Sequence, residues 1–212
     1  MIKENLETIQ NKIIAAAEAC GLDPEEVHLV AVSKTMPKEK LAEAVEAGVQ
    51  TLGENYVQEA REKFNDLYTL QVSWHFIGHL QSNKAKYVVK IFDLIHSVDS
   101  LKLAREIDKQ ANKNNKIQDI LIQVNISEES TKSGVRAEKT LEIVQEISLF
   151  ENVAIKGRMA MPPFFNAPER VRPFFKALGE LRSQIRKAAI PNVSMAELSM
   201  GMTGDFEVAI QE

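Results

Sequence analysis

Short apolar segments alternate with amphipathic helical patterns along nearly the whole chain. Seven segments have the length and the apolar or β-branched content of strands, at residues 28–34, 50–53, 72–77, 92–98, 117–126, 153–159 and 196–199. Strands that alternate with helices pair in parallel, because each helix returns the chain to the start of the next strand. The alternation therefore predicts an α/β fold in which helices cover a parallel sheet.

Two architectures satisfy this alternation, a barrel and an open doubly wound sheet. A helix precedes the first strand, with Leu6, Ile9 and Ile13 on one face and Gly21 at its end. Closed barrels of this type have eight strands and typically about 250 residues, whereas this chain has 212 residues and seven strand segments. We therefore predict one domain, residues 1–212, that forms a (β/α)8 TIM barrel with its eighth strand missing from this chain. No Gly-x-Gly-x-x-Gly motif follows a strand, which disfavours an open dinucleotide-binding sheet.

The composition argues against several classes of function. The 26 basic and 30 acidic residues give a net charge of −4, so there is no basic surplus for nucleic acid. No apolar run approaches the ~18 residues that a membrane span needs, and the N-terminus has no apolar core of a secretory signal. Cys20 is the single cysteine, which excludes an internal disulfide and fits a reducing environment. We expect a cytoplasmic protein.

Lys34 ends the first apolar strand segment and is followed by the break Thr35-Met36-Pro37. An amine at the mouth of a buried strand is expected to be held by the scaffold and partly desolvated. Desolvation lowers the pKa of a lysine and frees its lone pair, which suits it to form a Schiff base with an aldehyde. A solvated lysine in a strand-to-helix turn is the alternative that this local pattern leaves open.

Polar residues recur at the carboxyl ends of the predicted strands, where barrels have their active face. They are Lys34, Glu54, Asn55, His79, Ser97, Asp99, Asn125 and Ser199. A metal site is not expected, because His75 and His79 have no Cys, Asp or Glu at metal-ligand spacing. We interpret His79 as a hydrogen-bonded structural histidine and Lys132, in a polar loop, as a solvated charge.

The loop after the last strand segment, residues 199–205, has the composition of an anion site. Its glycines let backbone amides approach a ligand closely, and Ser199 and Thr203 add hydroxyl donors. The predicted helix that follows points its positive end at the loop, and barrels commonly hold a phosphate in this position. A glycine turn in which Thr203 or Asp205 caps the helix is the alternative.

Six groups of residues carry a family resemblance across nearly the whole chain. They are 31–34 (AVSK), 52–59 (LGENYVQE), 74–84 (WHFIGHLQSNK), 124–126 with 132–134 (VNI and KSG), 159–163 (MAMPP) and 198–206 (LSMGMTGDF). Together these segments resemble the YggS/PROSC family, the pyridoxal phosphate homeostasis proteins. Any one of them is a weak signal, but their combination in this order is very specific.

The resemblance implies a single barrel like the N-terminal domain of alanine racemase, with pyridoxal 5′-phosphate (PLP) as the cofactor. It implies that Lys34 holds PLP as a Schiff base and that Asn55 lies close to the cofactor ring. It places Ser199, Gly201 and Thr203 at the phosphate. No residue is assigned a catalytic or metal-binding role.

Two departures from the family pattern stand out. The family normally continues with Gly-Ser-Thr-x-Val-Arg and a final strand, whose arginine faces the pyridine nitrogen, and those residues are missing here. Arg158 occupies a position where the family usually has an aliphatic side chain, and it could point outward or reach a ligand.

The sequence leaves three functions to weigh. The first, which we favour, is a PLP-binding carrier or regulator in vitamin B6 homeostasis without known turnover, expected to be a monomer whose partners are PLP and recipient PLP-dependent apo-enzymes. The second is a racemase or decarboxylase-type enzyme, which would need a second base such as a tyrosine from an extra domain; the tyrosines here are Tyr56, Tyr68 and Tyr87. The third is a Schiff-base aldolase, for which a lysine on the first strand is an unusual position.

Overall fold

The computed structural model describes residues 1–127, 129 and 133–212. Its strands are β1 (Ala31–Val32), β2 (Thr51–Glu54), β3 (Ser73–Phe76), β4 (Leu94–Val98), β5 (Gln118–Asn125), β6 (Val135–Arg136), β7 (Val153–Met159) and β8 (Val193–Ser199). Among the described residues, seven strands form one path in the order β1-β2-β3-β4-β5-β7-β8, and β6 pairs with β5 beside this path. All of these pairs are parallel, as the alternation of strands and helices predicts.

Helices alternate with the strands along the chain, as the sequence predicts. They are α1 (Ile2–Cys20), α2 (Lys38–Glu46), α3 (Val57–Leu67), α4 (Ala85–Ile91), α5 (Leu101–Lys113), α6 (Thr140–Ile147), α7 (Arg172–Lys187) and α8 (Phe206–Gln211). Short 3-10 helices lie at Pro24–Glu26, Ser82–Lys84, Ala137–Lys139 and Pro168–Val171. The leading helix α1 ends at Gly21, whose φ of 75° is the left-handed conformation that glycine adopts without strain.

The apolar core lies between the sheet and its helices. On β3, Trp74 and Phe76 point to the helix side, where Trp74 packs edge-on against Phe64 and Phe76 packs edge-on against Phe92. His75, between them, points to the opposite face because side chains alternate along a strand. The core therefore fills the outer layer and leaves polar side chains on the inner face of the sheet.

The sheet is curled into a barrel rather than flat. His96 of β4 and Ser199 of β8 are three strand positions apart, which would separate them by about 14 Å in a flat sheet. Their side chains instead meet, with 2.8 Å between His96 Nδ1 and Ser199 Oγ. The two edges also approach each other, with 3.9 Å between His28 Nδ1 and Glu197 Oε2. Among the described residues, β1 and β8 are not paired, so the barrel is open between them.

The strand boundaries differ from the sequence prediction mainly at the two sheet edges. β7 has the predicted bounds, but β1 is two residues long instead of seven, since it has one neighbouring strand and its side chains meet solvent at Val32. β8 begins three residues before the predicted segment. β6 was not predicted, because two residues are too few to show a strand period.

Candidate ligand-binding site

Lys34 lies two residues after β1, at the carboxyl end of the strands, which is the predicted position. Its side chain is exposed, so the prediction of a partly desolvated amine is wrong. The reason is the shortness of the edge strand: Val32 is itself 52% exposed, and the residues after Lys34 are exposed as well. The scaffold holds the backbone of Lys34 but leaves its amine in contact with solvent.

Lys63 of α3 holds the residue before Lys34. This lysine is 7% exposed, and its Nζ donates to the carbonyl oxygen of Ser33 at 2.6 Å. The same amine donates to Glu54 Oε1 at 2.7 Å and to Glu59 Oε1 at 2.6 Å. Three hydrogen bonds use all the donors of an ammonium group. Because all three donors are used and two of the acceptors are carboxylates, the position of the Lys63 ammonium is fixed by charged hydrogen bonds.

The two carboxylates extend this network to both neighbours of Lys34. Ser33 Oγ donates to Glu54 Oε1 at 2.7 Å, and the Thr35 amide donates to Glu59 Oε1 at 2.6 Å. Thr35 has a φ of 62°, a left-handed conformation that is strained for a β-branched residue. A cluster of the buried side chains of Lys63 and Glu54 with the half-buried Glu59 therefore fixes the turn that carries Lys34.

Asn55 follows β2 and presents a buried acceptor without a partner. Its Oδ1 atom has no hydrogen-bond partner within the described part of the chain. The next strand end packs tightly against it, because a Cβ added at Gly78 would overlap the carbonyl oxygen and Cα of Asn55. The backbone of Asn55 is thus held in place, and its buried amide oxygen is an acceptor without a donor among the described residues.

The loop after β8 combines a glycine bend with free backbone amides. Gly201 has a φ of 83°, and a Cβ there would lie 2.8 Å from the Cβ of Ala209, so position 201 requires glycine. Asp205 Oδ1 accepts from the Met202 amide at 2.6 Å, and neither Asp205 nor Thr203 caps α8 through its side chain. Over the described ranges, the amides of Gly201, Thr203 and Gly204 donate to no protein acceptor. These donors suit an anion.

Two histidines lie behind this loop inside the barrel. His96 Nδ1 meets Ser199 Oγ, and His96 Nε2 lies 3.0 Å from His75 Nδ1. Burial lowers the pKa of His96 to about 3, with a further contribution from His75, and burial lowers the pKa of His75 to about 4. Both imidazoles are therefore neutral near pH 7. His96 was not among the predicted site residues, although the available signal was its position on a predicted strand next to the strand of His75.

Arg158 points outward from the sheet and does not reach the barrel interior. Its Nη2 donates to the carbonyl oxygen of Leu178 in α7. It is fully buried, and among the described residues its Nε and Nη1 atoms have no partner. Burial and the nearby Arg182 lower its pKa to about 9. This geometry resolves the alternative left open by the sequence in favour of the helix-facing side.

His79, Asp99 and Asn125, three further predicted polar positions, contact residues other than those of the Lys34 turn and the Ser199 loop. His79 is exposed, and its Nδ1 lies 3.8 Å from Asp99 Oδ2. Asn125 is buried and donates from Nδ2 to the carbonyl oxygen of Glu129 at 2.8 Å. Lys132 lies outside the described residues. The ring of polar residues expected at the strand ends stays a prediction.

The described residues contain neither a candidate metal site nor a candidate membrane span. No group of three or more His, Cys, Asp or Glu side chains in residues 1–127, 129 and 133–212 is arranged to hold a metal ion. In the same part of the chain, no helix combines the length and the apolar character needed to cross a bilayer.

A curled parallel sheet with a lysine after its first strand and a glycine loop with free amides after its last defines a class of α/β barrel proteins. The family described as "Alanine racemase, N-terminal domain" matches residues 2–211. The pyridoxal phosphate homeostasis protein of Aquifex aeolicus (strain VF5) is 44% identical over 209 residues, which cover 99% of this chain and 91% of that protein. The chain belongs to the alanine racemase N-terminal domain family and, within it, to the pyridoxal phosphate homeostasis proteins, which confirms the resemblance drawn from its motifs.

Solved structures agree with this assignment. PipY of Synechococcus elongatus PCC7942, solved with PLP bound, superposes with a TM-score of 0.86 at 31% identity, covering 99% of this chain and 93% of PipY. Alanine racemase of Clostridium difficile 630 superposes with a TM-score of 0.73 at 14% identity, covering 92% of this chain and 50% of the racemase. At that identity the second likeness shows the barrel fold alone.

Proposed function

We propose that this protein binds pyridoxal 5′-phosphate and acts as a carrier in vitamin B6 homeostasis. The observation that carries the proposal is the joint presence, at one face of the barrel, of a lysine on a fixed turn and a loop of free amide donors. The names of the relatives and the PLP-bound structure of PipY support the same ligand.

Lys34 is the residue that would hold the cofactor covalently. When bound, PLP supplies an aldehyde that condenses with a lysine amine. The cluster of Lys63, Glu54 and Glu59 fixes both neighbours of Lys34, so the direction in which its side chain leaves the backbone is set before a ligand arrives. Its exposed amine is accessible to an incoming aldehyde.

Ser199, Gly201 and Thr203 would hold the phosphate. The hydroxyl of Ser199 and the free amides of Gly201 and Thr203 are neutral donors, which bind an anion without requiring a buried positive charge. The bend at Gly201 keeps the loop close to Phe206 and Ala209, so that the amides stay at the end of β8. Asn55, with its unpartnered Oδ1, would accept a hydrogen bond near the cofactor ring.

A carrier is favoured over a racemase by the positions of the tyrosines. A racemase requires a second base across the cofactor from the lysine. Tyr68 ends α3 and is 71% exposed, and Tyr87 of α4 packs against Arg61 and Lys86 on the helix layer. Tyr56 follows Asn55 but is 56% exposed. None of the three is buried beside the Lys34 turn.

The proposal is tested with purified protein and PLP. We expect visible absorbance from the bound cofactor, covalent trapping on Lys34 by borohydride, and loss of both in Lys34→Ala. Lys40→Ala, which removes another exposed lysine ion-paired to Glu43, serves as the control and should keep both signals. Wild-type protein that stays colourless in excess PLP would contradict the proposal.

The enzymatic alternative is tested separately. PLP-loaded protein is incubated with L-alanine, and formation of the D-enantiomer is followed over many equivalents. A carrier produces no sustained turnover, whereas multiple turnovers would show that the protein acts as a racemase and not as a carrier.

A further inference from the structure

Ser199, His96 and His75 form a continuous hydrogen-bonded chain across the barrel interior. Ser199 Oγ lies 2.8 Å from His96 Nδ1, and His96 Nε2 lies 3.0 Å from His75 Nδ1. The three side chains come from β8, β4 and β3. Each hydrogen bond in this chain can be donated from either side. The three groups can therefore donate in sequence from His75 towards Ser199 or from Ser199 towards His75.

Both imidazoles are neutral near pH 7, since burial strongly disfavours their charged forms. A neutral imidazole carries one N–H and one acceptor nitrogen. In the first arrangement, His75 Nδ1 donates to His96 Nε2, and His96 Nδ1 donates to Ser199 Oγ. In the second, Ser199 Oγ donates to His96 Nδ1, and His96 Nε2 donates to His75 Nδ1.

The two arrangements give the Ser199 hydroxyl opposite hydrogen-bonding roles towards a ligand. In the first, the serine oxygen already accepts from His96, so its own hydrogen is free to be donated. In the second, that hydrogen is used inside the barrel, and the serine offers only lone pairs to the loop. An anion is attracted by the first arrangement and repelled by the second.

We propose that His96 and His75 are positioning residues for anion recognition, and that an anion at Ser199 selects the arrangement in which both rings carry their hydrogen on Nδ1. The proposal rests on the proposed function, because it takes the phosphate of PLP as the anion. Each ring keeps one proton throughout. The change moves one proton from Nε2 to Nδ1 on each ring and rotates the Ser199 hydroxyl, with no net uptake or release.

The ring nitrogens can be observed directly in the full-length protein. The chain has 4 histidines, so two-bond ¹H–¹⁵N correlation spectra of histidine-labelled protein are simple, and the His96 signals are assigned by their loss in His96→Asn. With PLP or inorganic phosphate added, we expect His96 and His75 as Nδ1–H tautomers. With pyridoxal, which lacks the phosphate, we expect a smaller Nδ1–H fraction at His96.

A matched pair of variants measures the energetic consequence. His96→Asn keeps an amide donor near the position of Nδ1, whereas His96→Leu has a similar size and no donor. The readout is the ratio of the Kd for pyridoxal to the Kd for PLP, because a general folding defect would weaken both ligands alike. We expect the ratio for His96→Asn to stay within about threefold of the wild-type ratio and the ratio for His96→Leu to fall about fivefold or more, the usual effect of losing a neutral hydrogen bond.

The outcomes separate the two proposals. Wild-type protein that binds neither PLP nor phosphate would overturn the proposed function and this inference with it. Protein that binds PLP while His96 remains an Nε2–H tautomer, or a His96→Leu variant with an unchanged ratio, would overturn this inference and leave the PLP carrier intact. Thermal unfolding of each variant confirms that the ratios come from folded protein.

Discussion

Lys63 Nζ lies 2.6 Å from the carbonyl oxygen of Ser33, so a side chain of α3 holds the residue directly before Lys34. The same ammonium binds two carboxylates, one of which accepts from the amide directly after Lys34. The turn that carries Lys34 is therefore held by side chains of α3 and β2 that lie behind it. These supporting side chains, rather than burial of Lys34 itself, are what the fold contributes at this position.

Removing Lys63 should destabilise the protein. Lys63→Met leaves Glu54, which is fully buried, without its cation, and breaking a buried pair in this way costs about 3–5 kcal/mol. Urea unfolding measures the change. The double variant Lys63→Met with Glu54→Gln removes the uncompensated charge and should recover part of the loss. A cost below about 1 kcal/mol for Lys63→Met would mean that the cluster does not hold the turn.

Three glycines form a graded series of substitutions to alanine. Gly78→Ala should destabilise by about 2 kcal/mol or more, because the new Cβ overlaps the backbone of Asn55. Gly21→Ala has open space but a φ of +75°, and should cost about 1 kcal/mol. Gly204→Ala, with nothing within 4 Å, should stay within about 0.5 kcal/mol of wild type. Thermal unfolding tests the order, and an equal effect at positions 78 and 204 would contradict it.

Stability should fall as the pH drops from about 6.5 towards 4. The folded-state pKa values of His75 and His96 are lowered to about 4 and about 3, whereas the pKa of these histidines in the unfolded chain is about 6.5. In this window the unfolded state binds more protons, so the free energy of unfolding decreases with each step down in pH.

The contribution of the two buried rings is isolated by difference. Chemical unfolding between pH 4 and pH 7.5 should show a shallower slope in the double variant His75→Gln with His96→Asn than in wild type. The exposed His79→Gln is the matched control and should keep the wild-type slope. Identical slopes in all three proteins would show that the buried rings become charged in the folded state.

Replacing Arg158 should not harm the fold. Its guanidinium is buried with two nitrogens unpartnered among the described residues, and burial and the nearby Arg182 both lower its pKa. Apolar replacement of an uncompensated buried cation is often neutral or stabilising by about 1–4 kcal/mol. We expect Arg158→Met to match or exceed the wild-type melting temperature. A marked drop would assign a structural role to its contact with Leu178.

The sequence predicted the parallel α/β architecture and the bounds of β7, because the strand segments are apolar and the helices between them strongly periodic. It could not predict Lys63 as a buried residue. Glu59 and Lys63 are four apart on a helix, the spacing of an ordinary exposed pair. Lys63 is buried because it packs against Glu54 of β2. This is a long-range contact, which no local sequence pattern contains.

The same limit applied to the barrel interior. The sequence identified a strand containing His96 but not which face it presents, since that depends on how far the sheet curls. Ser199 was predicted from its glycine loop and does lie at the end of β8, yet its partner comes from the other side of the barrel. The expected desolvation of Lys34 failed for a related reason, because it assumed a longer first strand than the structure forms.

The short edge strand has a consequence for exchange of a ligand. A bond formed at Lys34 would stay within reach of water molecules, because Lys34 and the neighbouring Val32 are both exposed. Unloading would then proceed by hydrolysis at an accessible linkage. A protein arranged in this way can bind and release its ligand at rates set by formation and hydrolysis of the bond at Lys34, instead of by a slow rearrangement of the chain.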